Sequence, residues 1–243
     1  MKKSLVLFTL VLALVFISTS AFAQTYVVGT NASFPPFEYV EEGEIVGFDI
    51  DLIKAIAEDQ GFEIEIRDLS FDSLPTALVT GSIDIIASGM TITKERLERF
   101  NFTDPYYSAN QSVLVQEETE KNLTVLFGDN DIGVQTGTTG DLWVRDNLIE
   151  TDILTGELRN YDSYVYVIRD LANGNIEAAV LDKPVAETFS KNNPVKLVTE
   201  IITGEEYGFA VANENEELLQ MLNEGLDNAR ENGTMDELIE KYF

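Results

Sequence analysis

The stretch GMTITKERLERFNFTDPYY, Gly89 to Tyr107, places a hydroxyl, a helix start and an arginine within a few residues of one strand end. Such a set can hold a carboxylate. The preceding run IDIIAS (83–88) is short, apolar and β-branched, which predicts a buried strand delivering Ser88, Gly89 and Thr91 at its C-terminal end. Thr93 has the chemistry of an N-cap, so Lys94 opens a helix and Arg96 falls in its first turn. A cation there opposes the helix dipole, and a nearby anion resolves the conflict. The guanidinium supplies a planar bidentate fork, and the free N–H groups of the first turn add donors beside it. Taken alone, the same pattern also describes an exposed arginine on a short surface helix.

Those residues need a scaffold, and the composition bounds it. Lys2 and Lys3 precede an apolar run from Leu5 to Ile17, and Ala21-Phe22-Ala23 has the small-x-small pattern of a signal-peptidase site. Residues 1–23 therefore read as a signal peptide cleaved after Ala23, and the chain as exported, periplasmic or secreted. The apolar run is short for a membrane span, and no later one is long enough. No cysteine follows the cleavage site or occurs anywhere else, so a lipid anchor is not expected and no disulfide is available. Stability must come from packed cores, and about 220 residues suffice for two modest domains or one large one.

The formal net charge of −27 makes nucleic acid and anionic membranes poor partners. The chain has no histidine, which removes Ser-His and Cys-His nucleophile pairs, His metal ligands and the usual general base. Most hydrolase and metalloenzyme readings fall with it. GVQTGTTG lacks the lysine of a phosphate loop, and Asp129-Asn130-Asp131 lacks the remaining ligands of a calcium loop. No cofactor and no metal are expected.

Strand and helix patterns alternate from Tyr26, which predicts an α/β chain with largely parallel sheets. TYVVGT is a first strand, and Phe48 to Gln60 an amphipathic helix stopped by Gly61. A strand from Glu63 to Asp68 and a helix from Asp72 to Thr80 follow. Further on come DIGVQ (131–135), helices after Thr139, around Val165 to Ala172 and after Pro184, and strands AAVL (178–181) and YGFAVA (207–212). Asn215 to Phe243 reads as helical, broken near Gly233. One internal echo stands out. Leu78-x-x-Gly81-x-Ile83-Asp84 and Leu171-x-x-Gly174-x-Ile176-Glu177 share spacing and order, and Gly89 and Asp182 follow their glycines at the same interval. Two such units present groups at the C-terminal edges of two sheets, where open α/β sheets bind ligands. That arrangement implies two lobes facing across a cleft.

Four segments, FPPFEYVEEGEIVGFDIDLIKAIA (34–57), SGMTITKERLERFNFTDPYY (88–107), GVQTGTTGD (133–141) and AAVLD (178–182), carry a specific resemblance. In order and spacing the chain resembles the extracellular amino-acid-binding proteins of ABC importers, the family 3 bacterial solute-binding proteins of arginine and glutamine type. The resemblance implies a periplasmic-binding-protein type II fold: two αβ lobes with mixed, largely parallel sheets joined by two crossover hinges. The crossovers should fall near Tyr107 to Asn110 and Thr203 to Tyr207, giving lobe 1 as 24–108 with 206–243 and lobe 2 as 109–205. It also implies a free L-amino acid and a membrane permease as partners, and a monomer.

Carried over by residue, the resemblance assigns Arg96 to the ligand α-carboxylate, helped by Thr91 and the backbone at Thr139. Asp182 takes the α-ammonium, with the Gly89 carbonyl and the Thr91 hydroxyl beside it; Ser88 precedes them at the strand end. Phe34 and Phe71 match positions that sandwich the ligand side chain, and Gln135 and Glu38 match the end of the pocket where ligand choice is made. Asn31 stands where several basic-ligand members carry an aspartate. Glu38 can pair with a guanidinium between the two phenylalanines, which favours arginine; Asn31 with Gln135 can satisfy an amide, which makes glutamine the second choice. A different class uses the same fold. Cyclohexadienyl or arogenate dehydratases need a general acid over the leaving group, and no second placed acid is visible in the sequence. A sensor module of a membrane kinase is disfavoured, since no span follows.

Overall fold

The computed structural model describes Gln24–Phe243; the expected signal peptide and its cleavage point lie outside the described residues. In chain order the elements are β1 (Thr25–Thr30), β2 (Ser33–Phe34), β3 (Glu38–Glu41), β4 (Glu44–Val46), α1 (Phe48–Gln60), β5 (Glu63–Asp68), α2 (Leu74–Val79), β6 (Ile85–Ile86), α3 (Lys94–Leu97) and β7 (Asn101–Phe102). Then come β8 (Tyr107–Gln116), β9 (Ile132–Gln135), α4 (Thr139–Val144), β10 (Leu158–Tyr161), α5 (Tyr164–Ala172), β11 (Ala178–Asp182), α6 (Lys183–Asn192), β12 (Val195–Tyr207), β13 (Ala210–Val211), α7 (Glu216–Glu231) and α8 (Thr234–Tyr242).

Two five-stranded sheets divide the chain. The first runs β5-β1-β6-β13-β7, and the second β10-β9-β11-β8-β12. In the first, β1 lies parallel to β5 and β6, while β13 is antiparallel to β6 and β7. The second repeats the plan, with β9 parallel to β10 and β11, and β8 antiparallel to β11 and β12. Both sheets are thus mixed. Strands β1, β6, β9 and β11 read as near-continuous apolar runs because helices or the opposite face cover them.

Helix α1 buries Phe48, Ile50, Leu52, Ile53 and Ile56 and packs against α7 and α8, so the chain's C-terminal segment completes the first lobe. Each such side chain contributes roughly 1.5–3 kcal/mol of transfer free energy. Where the chain passes between lobes, aromatic rings fix it. Phe37 sits edge-on to Tyr107 at 4.9 Å and to Tyr207 at 5.1 Å, and those two tyrosines stack 5.9 Å apart.

YGFAVA, expected as one strand, is divided. Tyr207 ends β12 in the second sheet and Ala210–Val211 forms β13 in the first, so the chain changes sheets inside an apolar run that looks uniform in sequence. The echo is physical. Asp84 accepts from Val27 N at 2.7 Å while its own N–H donates to Val27 O at 2.8 Å; Glu177 accepts from Asp131 N at 2.8 Å while its N–H donates to Asp131 O at 2.9 Å.

Candidate functional site

The C-terminal ends of β1, β6, β9 and β11 converge between the lobes. They surround a small pocket lined by Asn31, Phe34, Glu38, Phe71, Gly89, Thr91, Arg96, Gln135, Thr138, Thr139 and Asp182. Ten of the residues expected from the sequence meet there, and Thr138 joins them. Ser88 does not line it. Its hydroxyl sits one layer back, donating to Glu38 Oε1 at 3.0 Å and accepting from Asn31 N at 3.0 Å, so it fixes two wall residues rather than facing a ligand.

Thr93 caps α3 as expected, accepting from Arg96 N at 3.2 Å. The helix spans four residues only, too few for a developed macrodipole, so helix polarity contributes little to holding an anion there. What orients the guanidinium is backbone. Arg96 Nη1 donates to Thr91 O at 2.7 Å and Nη2 to Gly137 O at 3.1 Å, reaching the second lobe, with the guanidinium carbon 5.6 Å from the Phe71 ring centroid. These contacts leave N–H groups free for a carboxylate. Burial pulls Arg96 down to about 10, against the support of Glu205 and Asp182, so it stays charged at neutral pH.

Asp182, at the end of β11, is 3 % exposed and accepts from Tyr207 Oη at 2.6 Å. Burial, with Glu205 nearby, raises it to about 7. An ammonium placed against it restores the ionised form. Gly89 has φ +50°, and a Cβ there would stand 2.7 Å from Phe34 Cε1; glycine lets that ring and the strand end share the wall.

Glu38 is fully buried on β3. Its Oε1 takes the Ser88 hydroxyl and its Oε2 has no partner among the described residues. Burial, then Asp49, holds it well above the usual carboxylate range. Asn31 and Gln135 are not free amides: Gln135 Nε2 donates to Asn31 Oδ1 at 2.8 Å and to Asp162 O at 3.0 Å, while Asn31 Nδ2 donates to Leu69 O at 2.8 Å. They bond each other across the cleft. Phe34, from the first lobe, meets Tyr164 of the second at 5.9 Å.

One residue was missed. Glu205 of β12 is 8 % exposed, with Oε2 accepting from Thr91 Oγ1 at 2.7 Å and Thr139 Oγ1 at 2.6 Å, and Oε1 from Gln111 Nε2 at 3.0 Å and Thr203 Oγ1 at 2.9 Å. The signal was alternation. A strand that buries Tyr207 also turns Glu205 inward and Glu206 out. Among the described residues, no group of three or more His, Cys, Asp or Glu is placed to hold a metal, and no helix is long and apolar enough to cross a membrane.

Comparison with known proteins follows the same line. Residues 26–243 match the family described as bacterial extracellular solute-binding proteins, family 3. The chain is 37 % identical over 226 residues to a probable histidine-binding protein of Neisseria gonorrhoeae, covering 90 % of this chain and 83 % of that one. It is 34 % identical to the ABC transporter arginine-binding protein 1 of Escherichia coli K12, covering 99 % of both. Among solved structures, an ancestral arginine-binding protein bound to arginine superposes with a TM-score of 0.84 at 39 % identity, covering 90 % of this chain and 98 % of that one. An ancestral arginine-binding protein bound to glutamine gives 0.84 at 38 % identity, covering 91 % and 99 %. The architecture is that of periplasmic binding proteins of type II.

Proposed function

Since the chain belongs to the bacterial extracellular solute-binding proteins of family 3, we propose that it captures a free amino acid between its lobes and delivers it to the membrane permease of an ABC importer. Lobe 1 is taken as 24–108 with 206–243 and lobe 2 as 109–205. Arg96 receives the α-carboxylate and Asp182 the α-ammonium. Because the two charges come from different lobes, the ligand bridges them and favours closure. Each charged hydrogen bond adds ~1.5–3 kcal/mol net, so a handful gives micromolar binding, ~ −8 kcal/mol, after closure costs.

Arginine is the proposed ligand. The observation that carries it is Glu38, a second buried carboxylate with an unpartnered oxygen, in a cavity also walled by Phe34 and Phe71. Once Arg96 and Asp182 have taken the zwitterion, that unpartnered acid is matched by a cationic side chain, which favours its ionised form, and a guanidinium meets both the acid and the ring faces. Glutamine ranks second, because the amides of Asn31 and Gln135 are engaged with each other. Acidic ligands are disfavoured, since burying another carboxylate beside Glu38 is repulsive. A thermal-shift screen of the common amino acids, followed by calorimetry on the wild type and Glu38→Gln, tests this. Arginine should give the largest shift and lose its lead in the variant; a largest shift with glutamate or aspartate defeats the assignment.

Binding without turnover is part of the same proposal. Incubation with prephenate or arogenate should yield neither phenylpyruvate nor phenylalanine, and steady formation of either would make the protein a dehydratase.

A further inference from the structure

We propose that Glu205 sets the hydrogen-bonding polarity of the Thr91 and Thr139 hydroxyls, and so makes the amino end of the cleft an acceptor site selective for an α-ammonium group. The inference rests on the amino-acid-binding reading above. Each hydroxyl has one proton and two lone pairs. Both protons are committed, since Thr91 Oγ1 and Thr139 Oγ1 each donate to Glu205 Oε2. The other carboxylate oxygen takes Gln111 Nε2 and Thr203 Oγ1, so four donors converge on a group that accepts throughout. Gln111 Nε2 also donates to Thr139 Oγ1 at 3.2 Å, occupying one of that oxygen's lone pairs.

What remains to face the cavity is therefore lone pairs. Thr91 and Thr139 line it beside Asp182, and Thr91 can accept from an ammonium while having no proton left for a carboxylate. This revises the expectation that Thr91 serves both ends of the ligand: Arg96 holds the carboxylate, and Thr91 belongs to the amino end. An α-keto acid of the same side chain brings an acceptor to the same place and is repelled. Glu205 touches no ligand in this scheme; it is a positioning residue, buried behind the two hydroxyls on the crossover strand.

The isosteric variant Glu205→Gln reverses the arrangement. Its amide oxygen still takes Gln111 and Thr203, while its NH₂ donates to both threonines and turns their protons into the cleft. Calorimetry with L-arginine and with 5-guanidino-2-oxopentanoate reads the result. In Glu205→Gln the preference for arginine over the keto acid should fall by about tenfold or more, the scale of one charged hydrogen bond. A preference unchanged from the wild type, or equal losses for both compounds, overturns the inference. Thr91→Ala supplies an independent reading should Glu205→Gln fold poorly. It should weaken arginine and leave the keto acid no weaker, or tighter, whereas equal weakening means Thr91 donates to the carboxylate and the inference is wrong. If the screen shows a different amino acid as ligand, that compound and its keto acid replace the pair. If the wild type binds no amino acid at all, the function proposal fails and the inference falls with it.

Discussion

The two lobes use the same construction and put different chemistry at its edge. In the first, a Cβ at Gly29 would land on Ile83, and Asp84 closes a two-way backbone bond with Val27. In the second, a Cβ at Gly133 would land on Ile176, and Glu177 does the same with Asp131. Each glycine lets an isoleucine from the following αβ connection pack flat on its strand. Two residues past each glycine stand Asn31 and Gln135, which bond each other. At the next strand ends stand Gly89 and Asp182. There the lobes part: Asp182 faces the cavity, while the first lobe keeps its acid, Asp49, behind Gly89, accepting from Gly89 N at 2.8 Å and Tyr106 Oη at 2.5 Å. Packing fixes the frame, and the strand-end residues, Gly89 in one lobe and Asp182 in the other, give the two edges different chemistry.

The sharpest way to break this division of labour is to remove either charge. Arg96→Ala and Asp182→Ala should each cost ~2–5 kcal/mol of binding free energy and leave the melting profile of the free protein cooperative, because a lone partner strands one ligand charge in a desolvated cleft. Near-normal affinity by calorimetry in either variant would show that the charges are not shared between lobes.

A second contrast is read by pH. Asp49 and Asp182 are both raised by burial from the usual aspartate value to about 7. The native state then holds protons that the unfolded chain has released, so stability without ligand should fall as pH rises from about 4 to about 7 and level off above. An ammonium ligand relieves Asp182 but not Asp49. With saturating ligand the slope should shrink without vanishing, and Asp182→Asn should remove the share of Asp182 while leaving that of Glu38, which the ligand guanidinium relieves. A melting temperature that rises through this window in the free protein would contradict the linkage.

The smallest effects test the frame itself. Gly29→Ala and Gly133→Ala should each destabilise by ~1–3 kcal/mol through overpacking, and Asp84→Asn and Glu177→Gln by ~1 kcal/mol through one weakened hydrogen bond. Denaturant unfolding should give similar values within each pair; a large inequality would reduce the echo to a likeness of spacing.

The frame was legible because local rules write it. Period-two and apolar runs gave the strands, Thr93 and Gly61 gave helix ends, and repeated spacing gave the second unit. Glu205 was not legible, since its role depends on how β12 pairs with β8 and on three hydroxyl and amide partners far away in sequence. Ser88 was misplaced for a related reason: alternation tells which face a residue takes, not whether another side chain, here Glu38, stands between it and the cavity. The Asn31–Gln135 bond likewise exists only once the lobes meet.

The two crossover strands lie side by side and are laced to one another. Tyr107 pairs with Tyr207, Ser108 with Glu206 and Ala109 with Glu205, after which the ladder breaks between Ile201 and Glu205. Asn110 fills the break, its Oδ1 accepting from Thr203 N at 3.1 Å and Gly204 N at 2.9 Å. A pair of separate tethers would let the lobes swing and slide in many directions. A ribbon with one soft point behaves as a door on a single pin, so opening should follow a narrow arc that moves Arg96 away from Gly137 and Asn31 away from Gln135 in one coupled stroke.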